Sequence, residues 1–194
     1  MRAAWILFTA GCGFQVTAVP GEGTASLAPD AAFDFASCPS TYNVTSMPGP
    51  SRYRLITAGG APKAQSDVCN LDMPGATHLV VFDTLVELNA AGALVDSTTL
   101  AASAIWIGGV QQPAATRPGD LWLGFDDLPL MDQWYDNEPN DGGGKEDHGE
   151  QFVVIIRDRH FFTDVPSNFG AGALCECDGK PVGPMALAAI AANR

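Results

Sequence analysis

The residues best suited to chemistry are acids and amides that follow Trp134. Glu138 and Asn140 stand two positions apart across Pro139, and a cis bond at this proline would point both side chains to one side. Carboxylate and amide oxygens are hard ligands that suit Ca²⁺ better than a thiophilic metal. Further carboxylates follow at Asp141, Glu146, Asp147, Glu150 and Asp164. The pattern indicates a calcium-type site.

Two short strands must position these acids. Residues 152–156 form an apolar run, and residues 160–163 form a second short run that ends at Asp164. A carboxylate at the end of the second strand could turn back toward the acidic loop. We therefore expect the loop and the strand pair to gather four or more oxygens at one point.

The rest of the chain predicts an α+β domain. Apolar residues recur with helical spacing in residues 62–71, and Asp83 could cap a second helix that frays by Gly92. Leu85, Val86 and Leu88 would form the inward face of that helix. Residues 77–82, 104–109 and 173–177 are apolar runs of strand length.

The order of these motifs resembles the C-type lectin domain family. The resemblance covers residues 38–178 and rests on His78-Leu-Val80, Trp106-Ile-Gly108, Leu121–Leu130, Trp134, Glu138-Pro-Asn140, Gly149–Val153, Phe162-Thr-Asp164 and Leu174-Cys-Glu176. It implies a C-type lectin-like fold, with two short helices packed on small antiparallel sheets and a long irregular ligand-binding loop region.

The resemblance also implies a ligand set. Glu138, Asn140, Glu150 and Asp164 would hold Ca²⁺ and bind vicinal hydroxyls of mannose, glucose or GlcNAc. Thr163 departs from the family, which has asparagine there, and this puts calcium binding in doubt. The acidic loop is also longer, so Glu146 is an alternative to Glu150, which we prefer because it keeps register with the strand that follows.

Cysteine usage indicates two disulfides. Without Cys12, four cysteines remain, and four allow three pairings. The resemblance implies a Cys69–Cys175 pair, which leaves Cys38 with Cys177. It also implies that a further family disulfide is absent, because its two positions hold Phe152 and Ser167.

The N-terminus is typical of an exported protein. Residues 1–12 are interpreted as a signal peptide, and Thr9–Cys12 is similar to a bacterial lipoprotein box in which Cys12 is lipidated. A cut after Ala10 and an ordinary buried segment are the alternatives. We expect a flexible tether at 13–36, the domain at 37–178 and a C-terminal tail at 179–194, helical or disordered. The protein would then be a cell-surface or periplasmic lipoprotein, or secreted.

The charge composition limits the classes of binding partner that we expect. The net charge is −12, which argues against nucleic acid and anionic membranes, since phosphate binding needs clustered Lys and Arg. Membrane association is expected only through the possible lipid anchor. The expected partner is a glycan, and the alternative is a calcium-independent module for protein binding, adhesion or a structural role. We expect no enzyme, because His148 and His160 flank charged turns without a nucleophile beside them.

Overall fold

The computed structural model describes residues 32–193. Its strands and α-helices in chain order are β1 (Arg52–Gly60), α1 (Pro62–Asp72), β2 (Thr77–Leu79), α2 (Leu85–Ser97), β3 (Ala104–Gln111), β4 (Trp122–Gly124), β5 (Phe152–Ile156), β6 (Phe162–Val165), β7 (Ala171–Cys177) and α3 (Pro184–Ala192). The expected signal peptide, Cys12 and most of the expected tether lie outside the described residues.

The strands form one seven-stranded sheet in the order β1-β7-β3-β5-β6, with β2 added on β7 and β4 on β3. Every pairing is antiparallel except that of β3 with β7, which is parallel. The α+β prediction is confirmed, although the strands join into one mixed sheet rather than several small antiparallel ones. The loop between β4 and β5 carries Trp134 and the predicted ligands Glu138, Asn140 and Glu150, and β6 carries the fourth, Asp164.

Alternation along β3 divides the core between the two faces of the sheet. Trp106 belongs to the cluster that includes Cys69 of α1 and Ala189 of α3, whereas Ile105 belongs to the cluster that includes Leu88 of α2. Successive side chains of a strand point to opposite faces. α1 and α3 therefore cover one face, and α2 covers the other.

The start of α2 differs from the prediction. Thr84, not Asp83, is its N-cap, and Thr84 and Glu87 form a reciprocal capping box. The expected inward residues Leu85 and Val86 are 51% and 66% exposed. The helix also continues past Gly92 to Ser97.

The segment after Asp178 contains a third helix, α3. The Asp127 carboxylate accepts hydrogen bonds from the first-turn N–H groups of Met185 and Ala186, at 3.0 and 2.7 Å. Ala189 and Ile190 are buried in the core. Residues 184–192 therefore pack with the domain.

Two disulfides join distant parts of the chain to β7. They link Cys69 with Cys175, the pair that the resemblance implies, and Cys38 with Cys177, the pair that it leaves. Phe152 is buried and packs edge-on against Trp106, with 6.3 Å between ring centroids. An aromatic ring thus fills one of the positions where the family has a further cysteine. No helix among the described residues is both long and apolar enough to cross a membrane.

Candidate functional site

Asp164 forms the buried base of the predicted site. It lies in β6 opposite Val153 of β5, and its side chain is almost inaccessible to solvent. Its carboxylate accepts the backbone N–H of Asn140 at 3.0 Å and that of Asp141 at 2.8 Å. The strand pair therefore fixes the backbone next to the Glu138-Pro-Asn segment.

The approach to Glu138 is also anchored on β6. The Trp134 ring lies 5.8 Å from that of Phe162, and the Tyr135 N–H donates to the Phe162 carbonyl at 2.9 Å. The Glu138 N–H in turn donates to the Tyr135 carbonyl at 2.9 Å. Trp134 therefore has a structural role in placing the loop.

Glu138 and Asn140 lie side by side at the surface. The Glu138–Pro139 bond is cis, and the Asn140 side-chain amide donates to the Glu138 carboxylate. Both residues are half-buried, above the buried Asp164. Asn140 keeps its amide oxygen as a potential cation ligand.

Negative charge is crowded at this point. Burial, a hydrogen bond with Asp164 and the charges of Asp164 and Glu150 raise the pKa of Glu138 to about 7. Burial and the charge of Asp164 also raise the pKa of Glu150. Carboxylates placed so close together repel one another unless a proton or a cation offsets the charge.

The structure separates the roles of Glu150 and Glu146. Glu150 lies close enough to Asp164 for the charge of Asp164 to raise the pKa of Glu150. Glu146 instead accepts a hydrogen bond from the side chain of Gln111 at 2.8 Å and another from the His148 N–H at 3.1 Å. Glu146 is thus engaged with the end of β3, and Glu150 is the better candidate ligand.

Asp141 has an organising role that the sequence analysis missed. It is 5% exposed, and its carboxylate accepts the N–H groups of Asp147, Gly149 and Glu150, the last two at 2.8 and 2.7 Å. These bonds close the glycine-rich loop onto its own beginning. The acid directly before Gly142-Gly-Gly144 was the one sequence signal for such a loop anchor.

The donor set fits a hard cation. The candidate ligands are carboxylate and amide oxygens, the kind that Ca²⁺ takes in sites of six to eight ligands. Next to Asp164, the Thr163 hydroxyl is buried without a hydrogen-bond partner. An unpartnered buried hydroxyl is costly, but successive side chains of a strand point to opposite faces, so the Thr163 hydroxyl lies on the other face of β6 from the Asp164 carboxylate and a buried water molecule is its fitting partner.

A second cluster of ligand-type side chains lies elsewhere, at the end of β7. Ligand atoms of His78, Glu176 and Asp178 lie within 4.8 Å of one another. The two ring nitrogens of His78 face the Leu79 carbonyl at 2.7 Å and the Asp178 carboxylate at 3.0 Å, both of which are acceptors. Both ring nitrogens of His78 therefore face acceptors, which stabilises the doubly protonated imidazolium and leaves neither nitrogen free for a metal.

The other two histidines also pair with acids. His148 Nδ1 lies 3.0 Å from the Glu146 carboxylate, and His160 Nε2 lies 2.5 Å from that of Asp96.

The fold and the convergence of acids at the long loop define a class of protein: the chain has the C-type lectin-like fold. The cow CD23 C-type carbohydrate-recognition domain, crystallised in the presence of a GlcNAc2Man3 oligosaccharide, has a TM-score of 0.53 and 20% identity, and the match covers 72% of this chain and 95% of that one. The mouse scavenger receptor C-type lectin carbohydrate-recognition domain has a TM-score of 0.57 and 16% identity, with 75% and 100% covered.

A calcium-independent type II antifreeze protein shares the fold as well. Its TM-score is 0.55 at 18% identity, and the match covers 73% of this chain and 94% of that one. Neither a scan against protein-family models nor a search of the curated proteins finds a match. At these identities the likeness establishes the fold alone.

Proposed function

We propose that the domain binds a glycan through a Ca²⁺ ion held by Glu138, Asn140, Glu150 and Asp164. One observation carries the proposal: a buried carboxylate fixes the backbone of a loop whose partly exposed acids and amide surround it. Such an arrangement offers the ion a rigid base and leaves the opposite side open to a ligand.

The four proposed ligands have different roles in binding. Asp164 holds the loop and supplies an oxygen from below, while Glu138, Asn140 and Glu150 supply oxygens at the rim. A bound Ca²⁺ would supply coordination to two neighbouring hydroxyls of a sugar. The same rim carboxylates can accept hydrogen bonds from those hydroxyls, and the Asn140 amide can donate one.

The proposed sugar class follows from the Glu138-Pro-Asn140 triplet. By resemblance, this triplet favours equatorial vicinal hydroxyls, as in mannose, glucose or GlcNAc. The cow CD23 domain, with its GlcNAc2Man3 oligosaccharide, supports a glycan of this kind. The proposed activity is binding, not catalysis.

A thermal melt of the full chain with its disulfides intact tests the calcium site. A ligand that binds only the folded state raises the melting temperature, so Ca²⁺ should stabilise the wild type relative to EDTA. Glu138→Gln, which keeps the side-chain volume, should abolish this shift, whereas the control Asp132→Asn, at an exposed acid, should keep it. Coincident wild-type melts in EDTA and in millimolar Ca²⁺ would refute the site.

A glycan array read in Ca²⁺ and in EDTA then tests the ligand. Binding to mannose-, glucose- or GlcNAc-terminated glycans should require both Ca²⁺ and Glu138. Retention of the same glycans by Glu138→Gln in EDTA would contradict the proposal.

A calcium-independent lectin-like module is the second candidate. Thr163 stands in place of an asparagine ligand, and Asp141 and Asp164 already fasten the loop through hydrogen bonds without an ion. The calcium-independent antifreeze protein shows that the fold exists without calcium dependence. Capture of a protein partner in EDTA, unchanged in Glu138→Gln, would favour this candidate.

The cellular setting is part of the proposal. Two disulfides favour an oxidising compartment, so we propose export, with Cys12 as a lipid anchor or with release after cleavage. Mass spectrometry of the mature N-terminus distinguishes the two outcomes.

A further inference from the structure

One arginine beside the proposed glycan site has no acid partner. Arg159 lies in the turn between β5 and β6, and among residues 32–193 its guanidinium forms neither an ion pair nor a hydrogen bond. The guanidinium of Arg117, by contrast, pairs with the carboxylate of Asp120 at 2.8 Å. Acids outnumber Lys and Arg by 22 to 10 in this chain, so a shortage of acids does not explain an unpaired guanidinium.

The turn that carries Arg159 is fixed on both sides of this residue. The Asp158 N–H donates to the Asp96 carboxylate of α2 at 3.0 Å, and a ring nitrogen of His160 lies 2.5 Å from the same carboxylate. The Arg159 N–H donates to the Ile156 carbonyl at 3.2 Å. The backbone under the guanidinium is therefore attached to α2 and to the end of β5.

The guanidinium of Arg159 is stacked on Tyr135, close to Glu138. Its central carbon lies 4.5 Å from the centroid of the Tyr135 ring, which is a cation–π contact. The Tyr135 carbonyl accepts the Glu138 N–H at 2.9 Å, so the ring and the Glu138 carboxylate belong to one turn. Burial and neighbouring acids raise the pKa of Glu138, and the charge of Arg159 opposes them, so the guanidinium lies within electrostatic range of this carboxylate. Stacking occupies a face of the guanidinium and leaves N–H groups at its edge for a ligand.

The chemistry of the proposed sugars determines which substituent lies beside the ion. Mannose has an axial 2-hydroxyl and GlcNAc has an amide at C2, so the equatorial vicinal pair that both share with glucose is the 3- and 4-hydroxyls. C5, which neighbours the carbon of the 4-hydroxyl, carries C6. A sugar held by this pair therefore presents C6 at the edge of the calcium site. In a hexuronic acid C6 is a carboxylate, which the edge of a guanidinium binds with two parallel hydrogen bonds.

We propose that Arg159 is a specificity-determining residue and that the preferred ligand is a glycan ending in a hexuronic acid of gluco or manno configuration. The vicinal hydroxyls bind as in the neutral sugar, and the C6 carboxylate accepts hydrogen bonds from Arg159. The inference rests on the proposed glycan site and names the substrate class of that site. Without Arg159, an acidic sugar would approach a protein of net charge −12 and would be disfavoured.

Four methyl glucosides that differ only at C6 test the inference. C6 carries a hydroxyl, a carboxylate, the methyl ester of that carboxylate or a sulfate, and NMR titration of the full chain in saturating Ca²⁺ gives each dissociation constant. We expect the carboxylate to bind about three-fold or more tightly than the hydroxyl and the ester, which is the range of a solvated ion pair. An equal or larger gain from the sulfate would overturn the uronic acid as the substrate class.

Substitutions of Arg159 should change the preference among these sugars. Arg159→Gln should reverse it, so that the carboxylate binds more weakly than the hydroxyl form. Arg159→Lys keeps the charge but lacks the planar fork, and it should keep only part of the preference. Arg52→Gln is the matched control, because it removes the same charge from an exposed arginine of β1, at the opposite edge of the sheet from β6. The control should keep the preference of the wild type.

Calcium affinity gives a second readout, which a purely structural role for Arg159 would not raise. The guanidinium and the ion carry charges of the same sign near Glu138, so removal of the guanidinium relieves their repulsion. We expect Arg159→Gln to bind Ca²⁺ about two-fold or more tightly than the wild type at low salt. A lower calcium affinity in this variant would contradict the placement of Arg159 beside the ion.

The outcomes separate the role of Arg159 from the calcium site. A wild type that binds the neutral glucoside in Ca²⁺ but does not prefer the glucuronide would overturn the role of Arg159 and leave the calcium site standing, as would an unchanged preference in Arg159→Gln. Glucuronide binding that is lost in Arg159→Gln but survives EDTA would support Arg159 as the carboxylate contact and refute the calcium site. A wild type that binds none of the four sugars would overturn both.

Discussion

The backbone N–H of Asp141 donates to the Asp164 carboxylate at 2.8 Å, and this bond joins the acidic loop to β6. The Asp141 carboxylate then accepts the N–H groups of Gly149 and Glu150 at the far end of the same loop. The start of the loop is thus bonded to the Asp164 carboxylate, and the end of the loop is bonded to the Asp141 carboxylate. The loop is therefore shaped by hydrogen bonds among its own residues and β6.

Asp141→Asn should weaken calcium binding although Asp141 is not among the proposed ligands. The substitution removes the charge that receives three N–H groups, and hydrogen bonds to charged groups are worth about 1.5–3 kcal/mol each. If about 1.4 kcal/mol is then needed to order the loop, calcium affinity falls roughly ten-fold. Calcium titration gives the affinity, and hydrogen exchange across residues 142–149 gives the loop order.

Asp147→Asn is the matched control, because it removes the same charge from an exposed side chain of the same loop. Equal calcium affinities for the two variants would show that Asp141 acts through its charge alone and not through loop order.

Thr163→Val should not destabilise the ion-free domain. Valine has nearly the same shape, and it removes a buried hydroxyl that has no hydrogen-bond partner. We expect the free energy of unfolding in EDTA, from urea denaturation, to stay the same or to rise by about 1–3 kcal/mol. A loss of more than about 1 kcal/mol would mean that the hydroxyl has a partner in the ion-free protein.

Phe152→Ala should cost much more stability than Phe161→Ala. Phe152 is 2% exposed and packs against Trp106, whereas Phe161 is 42% exposed. A buried phenylalanine truncated to alanine costs about 3–5 kcal/mol, while surface changes stay within about 0.5 kcal/mol. Urea denaturation measures both, and similar losses would contradict a structural role for the buried Phe152 ring at this position.

Stability should fall as the pH rises through the range in which Glu176 titrates. Burial raises the pKa of Glu176 from 4.5 to about 7, while His78 lowers it and Asp178 raises it. Between these two values the folded state holds a proton that the unfolded state has lost, so raising the pH favours unfolding. Burial lowers the pKa of His78, but its contacts with Asp178 outweigh burial and raise it overall, so His78 also loses its stabilising charge as the pH rises.

Urea denaturation between about pH 5 and about pH 8 tests this dependence. Glu176→Gln should flatten the curve, by at most about 1.4 kcal/mol per pH unit for one proton. Tyr53, whose hydroxyl donates to Glu176, and Lys180, whose charge acts on it, remain in the variant. A pH profile identical to that of the wild type would refute the assignment to Glu176.

Much of the fold could be predicted because its strands carry local signals. Trp106 stands in an apolar run bounded by polar residues, and that run is β3. The start of α2 was predicted one residue early, although Thr84 and Glu87 have the spacing of a capping box. The end of α2 was not predictable, because Gly92 is accommodated by packing: a Cβ on Gly92 would lie 2.6 Å from Cγ of His160.

In the candidate site, too, some residues could be predicted from local sequence and others could not. Glu138 and Asn140 are marked by local sequence, since only a proline separates them. The hydrogen bond between Glu146 and Gln111 could not be predicted from local sequence, because Gln111 is 35 residues away and belongs to another element. Distant pairs of this kind depend on how the sheet brings β3 to the loop, which local periodicity does not encode.

The position of β7 has a consequence for how the chain is made. This strand lies between β1 and β3, pairs also with β2, and carries both Cys175 and Cys177. It is the last of the described strands to be synthesised, so the two parts of the sheet have no common neighbour until residue 177 has left the ribosome. Until then, Cys38 and Cys69 lack their partners and are free to oxidise with each other. Maturation of this domain therefore depends on the order in which its thiols appear as well as on its final contacts.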